Sequence, residues 1–180
     1  MATTKIQAAP QTAKRSFSAG SVISAIGRWI VRNRIYLIAF AIPAVLTYLA
    51  YALFGLYPFG EESVLCLDLN GQYVYYFEAL RDAFWGDGSI FYNWSRNLSG
   101  EFMGIIGYYL ASPFTLIVML LPEKFMLSSL LIMQLCKLGA AGATFNYFLQ
   151  KRRGVQPYPS LLFSTMYAMM AYGVIQLIDP

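Results

Sequence analysis

An uncharged apolar run of 22 residues, 35–56, constrains the fold more than any other feature of this chain. At 1.5 Å per residue, a helix of this length crosses the bilayer core of about 30 Å. A secretory signal peptide would be shorter and would precede a small-residue cleavage site, which does not follow this run. The whole chain is 58% hydrophobic and 12% charged, which is too apolar for a soluble fold of 180 residues. We therefore predict an integral membrane protein whose first transmembrane helix is 35–56.

The charges predict the topology. Residues 1–34 carry six cations and no acid, so they are expected to form a cytoplasmic tail. Residues 57–124 carry eight acids against three cations and are expected to lie outside the cytoplasm. The cluster Lys151-Arg152-Arg153 then predicts a basic cytoplasmic loop over 150–160. The formal charge of +4 thus reports topology, and no nucleic-acid partner is expected.

The end of the basic tail has two interpretations. Between residues 21 and 34, apolar side chains recur at helical spacing with arginines between them. This pattern fits a short interfacial helix, and it fits equally the cytoplasmic end of the first transmembrane helix.

Three further apolar stretches follow, and the basic cluster requires that one of them does not cross. Residues 103–121 are short for a crossing and contain Pro113, which breaks the backbone hydrogen-bond ladder. We predict a broken, re-entrant or interfacial helix there. Residues 125–149 are then the second transmembrane helix, and residues 161–180 are the third, truncated one.

Within the outer segment, residues 68–85 predict an amphipathic helix expected to lie flat on the membrane, apolar face toward lipid. Asn70, Glu78, Arg81 and Asp82 fall largely opposite that face, whereas Asp68, Gln72 and Tyr75 follow its border. The apolar stripe contains Leu69, Tyr73, Tyr76, Phe77, Leu80 and Phe84.

Several separately placed motifs carry a family resemblance. They are Tyr57-Pro58-Phe59-Gly60, Asp68 with Gln72-Tyr73, the aromatic run from Phe91 to Trp94, and Tyr108-Tyr109-Leu110-Ala111-Ser112-Pro113. In this order the motifs resemble the start of the bacterial membrane protein YfhO family, from about residue 36 onward. The resemblance implies an all-α, polytopic bundle similar to GT-C glycosyltransferases, with a large extracytoplasmic first loop that carries membrane-parallel helices. Because the chain stops directly after an apolar run, we expect it to be the N-terminal part of a longer protein, inactive alone.

The resemblance also implies a function in the bacterial cell membrane. Such enzymes transfer a sugar from a polyprenyl-phosphate donor to a cell-wall polymer such as lipoteichoic acid, using an acidic residue of the first outer loop. Asp68 would be that residue, acting as general base in an inverting displacement. Its simpler interpretation is a helix N-cap.

Other residues are candidates for substrate binding. Gln72 would orient Asp68 or a sugar hydroxyl, and Arg96 would hold the leaving phosphate. Flat ring faces for sugars or prenyl chains come from Tyr73, Tyr92 and Trp94, although such aromatics are by default members of the interfacial belt. With two Cys and no His, no metal site is expected, and no cofactor is expected either.

Lys137 is a cation about halfway along the second predicted crossing, where a charge costs about 2.5 to 3.5 kcal/mol. It is expected to pair with an acid or with the donor phosphate. The small residues 139–143 that follow suit close helix packing. A transporter or flippase-like protein, with Lys137 and the broken helix lining a path, is the alternative function. A scaffold subunit is a third, simpler one.

Overall fold

The computed structural model describes residues 19–65, 67–94 and 100–178. This part of the chain is mostly helical, as predicted, with a single short β-hairpin. The labelled elements are α1 Ala19–Leu53, α2 Val74–Trp85, β1 Tyr92–Asn93, β2 Gly100–Glu101, α3 Met103–Ile105, α4 Thr115–Leu120, α5 Met126–Arg153, α6 Pro157–Ala168 and α7 Ala171–Ile178. Single π-helical turns, Leu69–Tyr73 and Ile106–Leu110, lead into α2 and follow α3, and a 3₁₀ turn, Glu123–Phe125, precedes α5.

Two helical segments are long and apolar enough to cross a membrane, Val22–Leu53 and Glu123–Arg153. The first overlaps the predicted crossing 35–56 and the second contains the predicted crossing 125–149, which supports the expectation of a helical membrane protein. The first belongs to α1, which covers the proposed interfacial helix and ends at Leu53, three residues before the predicted end of the first transmembrane helix. The chain divides into two compact units, up to Arg34 and from Ile35 onward.

The small-residue patch of α5 packs closely against α1. A Cβ on Gly142 would meet the carbonyl oxygen of Ala39 and would lie 3.1 Å from Cγ of Pro43. A Cβ on Gly139 would lie 2.8 Å from the ring of Phe40. The predicted packing role of this patch is therefore confirmed, because a larger side chain at either position would push the helices apart.

A short turn joins α5 to α6. The helix α5 continues to Arg153 and ends at Gly154, whose φ of +64° is a left-handed conformation that glycine adopts without strain. Since α6 begins at Pro157, only residues 154–156 are non-helical. The expected basic loop over 150–160 is thus shorter than predicted, and its three cations form the last turn of α5.

Residues 161–178 do not form one helix. The chain bends at Met169 and Met170, between α6 of 12 residues and α7 of 8 residues. Neither helix alone is long enough to cross a bilayer, which differs from the single third helix expected from hydropathy. One contact lies at the bend, where the Thr47 hydroxyl donates to Sδ of Met169 at 3.7 Å. Another lies beyond it, where the Gln134 amide donates to the carbonyl of Leu177 at 2.9 Å.

The amphipathic helix predicted at 68–85 is present as the first π-helical turn followed by α2. Its apolar face is not turned to lipid, because residues 102–118 cover it with protein. Leu69, Tyr73, Phe77 and Leu80 are buried there with Phe102, Ile105, Leu110 and Val118, and these eight residues are called the α2 core below. Phe84 is the exception in the predicted stripe, since 58% of it is exposed.

Two side chains of α2 cap the last turn of α4. The Arg81 guanidinium donates to the carbonyl of Val118 at 2.7 Å and also to the carbonyl of Leu121. The Trp85 indole donates to the carbonyl of Met119 at 3.0 Å. Helix ends leave such carbonyls unsatisfied, so these bonds attach α4 to α2. Arg81, predicted to fall largely opposite the apolar stripe, thus makes contacts with protein through its guanidinium group.

Candidate functional site

A cleft of about 380 Å³ opens beside α2. Three carboxyl groups lie along it, those of Glu78, Asp82 and Asp87, together with five aromatic side chains. Its lining is completed by Tyr75, Tyr76, Ala79, Gly88, Ser89, Tyr92, Asn93, Trp94, Phe102 and Ile105. We call it the aromatic–acidic cleft.

One wall of the cleft is formed by Tyr92 and Trp94, each of which was a candidate for substrate binding in the sequence. The rings of Tyr92 and Trp94 are 4.8 Å apart and meet edge to face at 67°. Tyr92 is held by the hairpin, in which it pairs with Glu101, and the neighbouring Phe102 N–H donates to the carbonyl of Phe91 at 2.9 Å. Because 81% of Trp94 is exposed, its ring is open to a ligand.

The carboxyl groups come from α2 and the turn that follows it. Glu78 and Asp82 are four residues apart and therefore share one helical face. Asp87 follows in a tight turn, in which the N–H groups of Gly86 and Gly88 both donate to the Asp82 carbonyl at 3.0 Å. A Cβ on Gly88 would lie 2.8 Å from the backbone of residues 82 and 83, so this close approach requires glycine.

The pKa of the Glu78 carboxyl group is shifted by its surroundings in the cleft. Burial raises the pKa of its carboxyl group, and the negative charges of Glu123 and Asp82 raise it further. A carboxylate of raised pKa in a cleft is a candidate for proton transfer. Sequence reasoning did not select Glu78, although its spacing from Asp82 is a signal that it could have used.

The cleft suits a neutral ligand that is rich in hydroxyl groups. Carboxylates accept hydrogen bonds from hydroxyls, and ring faces cover apolar C–H surfaces. Within the described ranges, no group of three His, Cys, Asp or Glu is placed to hold a metal ion.

The predicted base, Asp68, does not line the cleft. It is exposed, has helical dihedral angles, and makes no capping hydrogen bond through its side chain, so the structure contains no N-cap role for it. Gln72 is half-buried and also lies outside the cleft lining. Arg96 lies outside the described residues.

Tyr73 is a core residue. Only 4% of it is exposed, and its ring meets that of Tyr109 edge to face with centroids 5.3 Å apart. Tyr76 and Phe77 also contact its ring. With these neighbours, Tyr73 does not present the open ring face expected of a sugar platform.

Lys137 lies at a second cavity, of about 340 Å³, which we call the Lys137 cavity. None of the cleft residues lines it, so the structure separates Lys137 from Tyr92 and Trp94. Its other lining residues are Leu138, Ala141, Tyr167, Ala168, Met170, Tyr172, Gly173 and Leu177.

Comparison with known proteins identifies a family for this chain. The family model described as bacterial membrane protein YfhO matches residues 39–180, most of the chain. No curated protein and no solved structure matches the chain significantly. The family match covers α2, the aromatic–acidic cleft and the Lys137 cavity together, and on this basis the chain belongs to the bacterial membrane protein YfhO family.

Proposed function

We propose that the protein is a membrane glycosyltransferase. It transfers a sugar from a polyprenyl-phosphate donor to an extracytoplasmic cell-wall polymer of the teichoic-acid type, and its N-terminus lies in the cytoplasm. The aromatic–acidic cleft is the single observation that carries this proposal, because it combines an open Trp94 ring with three carboxyl groups. Membership of the YfhO family is consistent with it.

The side of the membrane favours a lipid-linked donor. The cleft lies within residues 57–124, which the charge pattern places outside the cytoplasm. Nucleotide sugars are cytoplasmic, so a sugar available at this face must arrive on a lipid carrier.

The proposed reaction is a single displacement. An acceptor hydroxyl oxygen forms a bond to the anomeric carbon, while the bond from that carbon to the phosphate oxygen breaks. The electron pair leaves with the polyprenyl phosphate, and the hydroxyl proton passes to a carboxylate of the protein. The anomeric configuration is inverted.

Two residues compete for the role of base. Asp68 is favoured by the family resemblance, whereas Glu78 is favoured by its place in the cleft and by its raised pKa. A base of raised pKa holds the transferred proton more firmly. We propose Glu78 as the base for an acceptor bound in the cleft, and the comparison of Glu78 with Asp68 is made among the predictions below.

A transporter or flippase-like protein is the second candidate function. The observation in its favour is the Lys137 cavity, which lies beside the bend between α6 and α7. An ionisable residue in a membrane helix and an interrupted helix are both typical of transport paths.

Liposomes that carry the full-length protein separate the two functions. Labelled polyprenyl-phosphate sugar is supplied with a teichoic-acid acceptor, and both sugar transfer and transbilayer movement of the same lipid are measured. We expect transfer, and we expect Trp94→Ala to reduce it strongly while Tyr158→Ala, at an exposed aromatic residue outside the cleft lining, leaves it unchanged. Lipid movement without transfer would refute the enzyme and support the transporter.

A further inference from the structure

Lys137 occupies a position at which a cation needs an anion. It lies on α5 about 16 Å along the helix from Met126 and about 24 Å from Arg153, at 1.5 Å per residue. It is therefore deep within the second candidate membrane span. In the part of the chain that the structure describes, Lys137 has no hydrogen-bond or ion-pair partner.

The side chains around Lys137 also favour binding of an anion. The cavity lining contains no carboxyl group, and its other polar side chains are the phenols of Tyr167 and Tyr172. Neither hydroxyl has a partner among the described residues, so both can donate. The Tyr167 ring is stacked on Phe145 with centroids 4.2 Å apart, which fixes its position.

The first turn of α7 completes this arrangement. Tyr172 and Gly173 both line the cavity and belong to this turn, whose backbone N–H groups carry the positive end of the helix dipole. An ammonium group, two phenol donors and a helix N-terminus thus border one cavity whose remaining walls are apolar.

We propose that the Lys137 cavity binds the phosphate group of a membrane lipid. A phosphate supplies the anion that Lys137 lacks, and the apolar walls accept the adjoining part of an acyl or prenyl chain. The proposal depends only on the membrane position of α5 and stands whether or not the protein transfers sugar.

Geometry favours a lipid over a soluble anion. A free ion would have to enter the hydrocarbon region without its water, which is costly. A lipid phosphate enters from the interface while its chain stays in the hydrocarbon region, and Lys137 shortens its path because helical side chains lean toward the N-terminus of their helix and lysine extends toward the nearest interface. For Lys137 that direction is toward Met126, the nearer end of α5.

Lipid binding can be measured on the full chain in phosphatidylcholine nanodiscs. One set is doped with polyprenyl phosphate and the other with phosphatidylglycerol, and lipid retained by the protein is counted by native mass spectrometry. We expect Lys137→Met to weaken retention at least about tenfold, as for loss of a charged hydrogen bond, and Lys137→Arg to preserve most of it. Lys151→Met is the matched control, since it removes a lysine from the last turn of the same helix.

A second variant tests the cavity without altering the charge. Ala141→Leu adds volume to the lining, so it should also reduce retention while Lys137 remains. Preferential retention of polyprenyl phosphate would identify a carrier-lipid site, and equal retention of both lipids a general anionic-lipid site. Retention by Lys137→Met and by Ala141→Leu within twofold of the wild type would overturn the proposal.

Discussion

The α2 core and the α5–α6 hairpin, residues 139–168, bury opposite kinds of side chain. The α2 core buries large apolar side chains. Residues 139–168 bury only small or polar residues among those described, whereas the preceding part of α5 buries Leu130, Leu131, Met133 and Leu138. The buried residues of the hairpin are Gly139, Gly142, Asn146, Ser160, Ser164 and Ala168. Its large apolar side chains point outward, with Leu162 and Met166 each 62% exposed.

This difference follows from the solvent around each region. In water, burying apolar surface is the main gain on folding, so large apolar side chains collect inside. In lipid, that gain disappears because the acyl chains are as apolar as leucine, and helices associate through small residues and hydrogen bonds. The pattern of the hairpin is therefore typical of helices packed in lipid. The α2 core, whose apolar cluster continues onto Leu130 and Met133 of α5, has the pattern of apolar burial.

Hydrogen bonds hold the hairpin where apolar burial does not. The Asn146 amide donates to Ser160 at 3.0 Å and to Ser164 at 3.3 Å, and Gln150 donates to the Asn146 carbonyl at 2.6 Å. Asn146, Ser160 and Ser164 are buried, and their polar atoms are satisfied.

The first prediction tests on which side of the membrane the cleft and the turn after α5 lie. We expect complete thiol labelling of intact cells at one position and none at the other. In a background without Cys66 and Cys136, Ser89→Cys at the cleft should react with an impermeant thiol reagent added outside cells. Gln156→Cys, in the turn after α5, should react only after the membrane is opened. Both positions are exposed in the structure, so protein burial does not account for shielding. Labelling of intact cells at 156 would contradict the proposed topology.

The second prediction concerns catalysis in the aromatic–acidic cleft. Glu78→Gln keeps the shape of the side chain but cannot take a proton, so transfer by the full-length protein should fall about 10²- to 10⁴-fold. Asp68→Asn should have a much smaller effect, because Asp68 does not line the cleft. Glu61→Gln, an exposed acid outside the cleft, is the control at matched expression. The reverse ranking of Glu78 and Asp68 would return the role of base to Asp68.

If Glu78 is the base, sugar transfer should depend on pH through the ionisation of its carboxyl group. A base acts when deprotonated, and the pKa of Glu78 is raised above its ordinary value. Activity should therefore be lost, as the pH falls, at a higher pH than for an ordinary glutamate. Residual activity of Glu78→Gln should lack this acidic limb.

The third prediction concerns apolar burial. Phe77→Ala should lower the free energy of unfolding by about 3 to 5 kcal/mol, because it removes a ring from a packed core and leaves a cavity. Phe77 is 4% exposed, whereas Phe163 of the hairpin is 52% exposed and should tolerate the same change. Thermal or denaturant unfolding in bicelles measures both. Equal losses at the two positions would remove the contrast between the regions.

The smallest effect is expected for the hydrogen bonds of the hairpin. Asn146→Ala should cost about 0.6 to 1.7 kcal/mol, the range for hydrogen bonds between membrane helices. Ser160 and Ser164 would keep bonds to the carbonyls of Pro157 and Leu161. Thr144→Ala is the control, since its hydroxyl bonds only carbonyls of its own helix. A cost above that of Phe77→Ala would show that polar contacts dominate the whole fold.

The sequence by itself determined the features that depend on local pattern. Hydropathy identified both candidate membrane helices, and period-3.6 spacing identified the helix that ends in α2. The small residues 139–143 indicated close packing, and the segment around Pro113 is divided into short helices as that proline predicts. Each feature follows from residues close together along the chain.

Only the tertiary structure decided which surfaces meet. Periodicity defined an apolar face on α2, but it did not reveal that residues 102–118, rather than lipid, cover that face. Arg81 had the pattern of a solvent-facing cation, yet it caps carbonyls about 40 positions away. The sequence also did not predict that three acids line one cleft, because the turn after α2 is what brings Asp87 close to Glu78 and Asp82. Spacing along one helix defines its faces, whereas the partner of each face is set by where distant segments return.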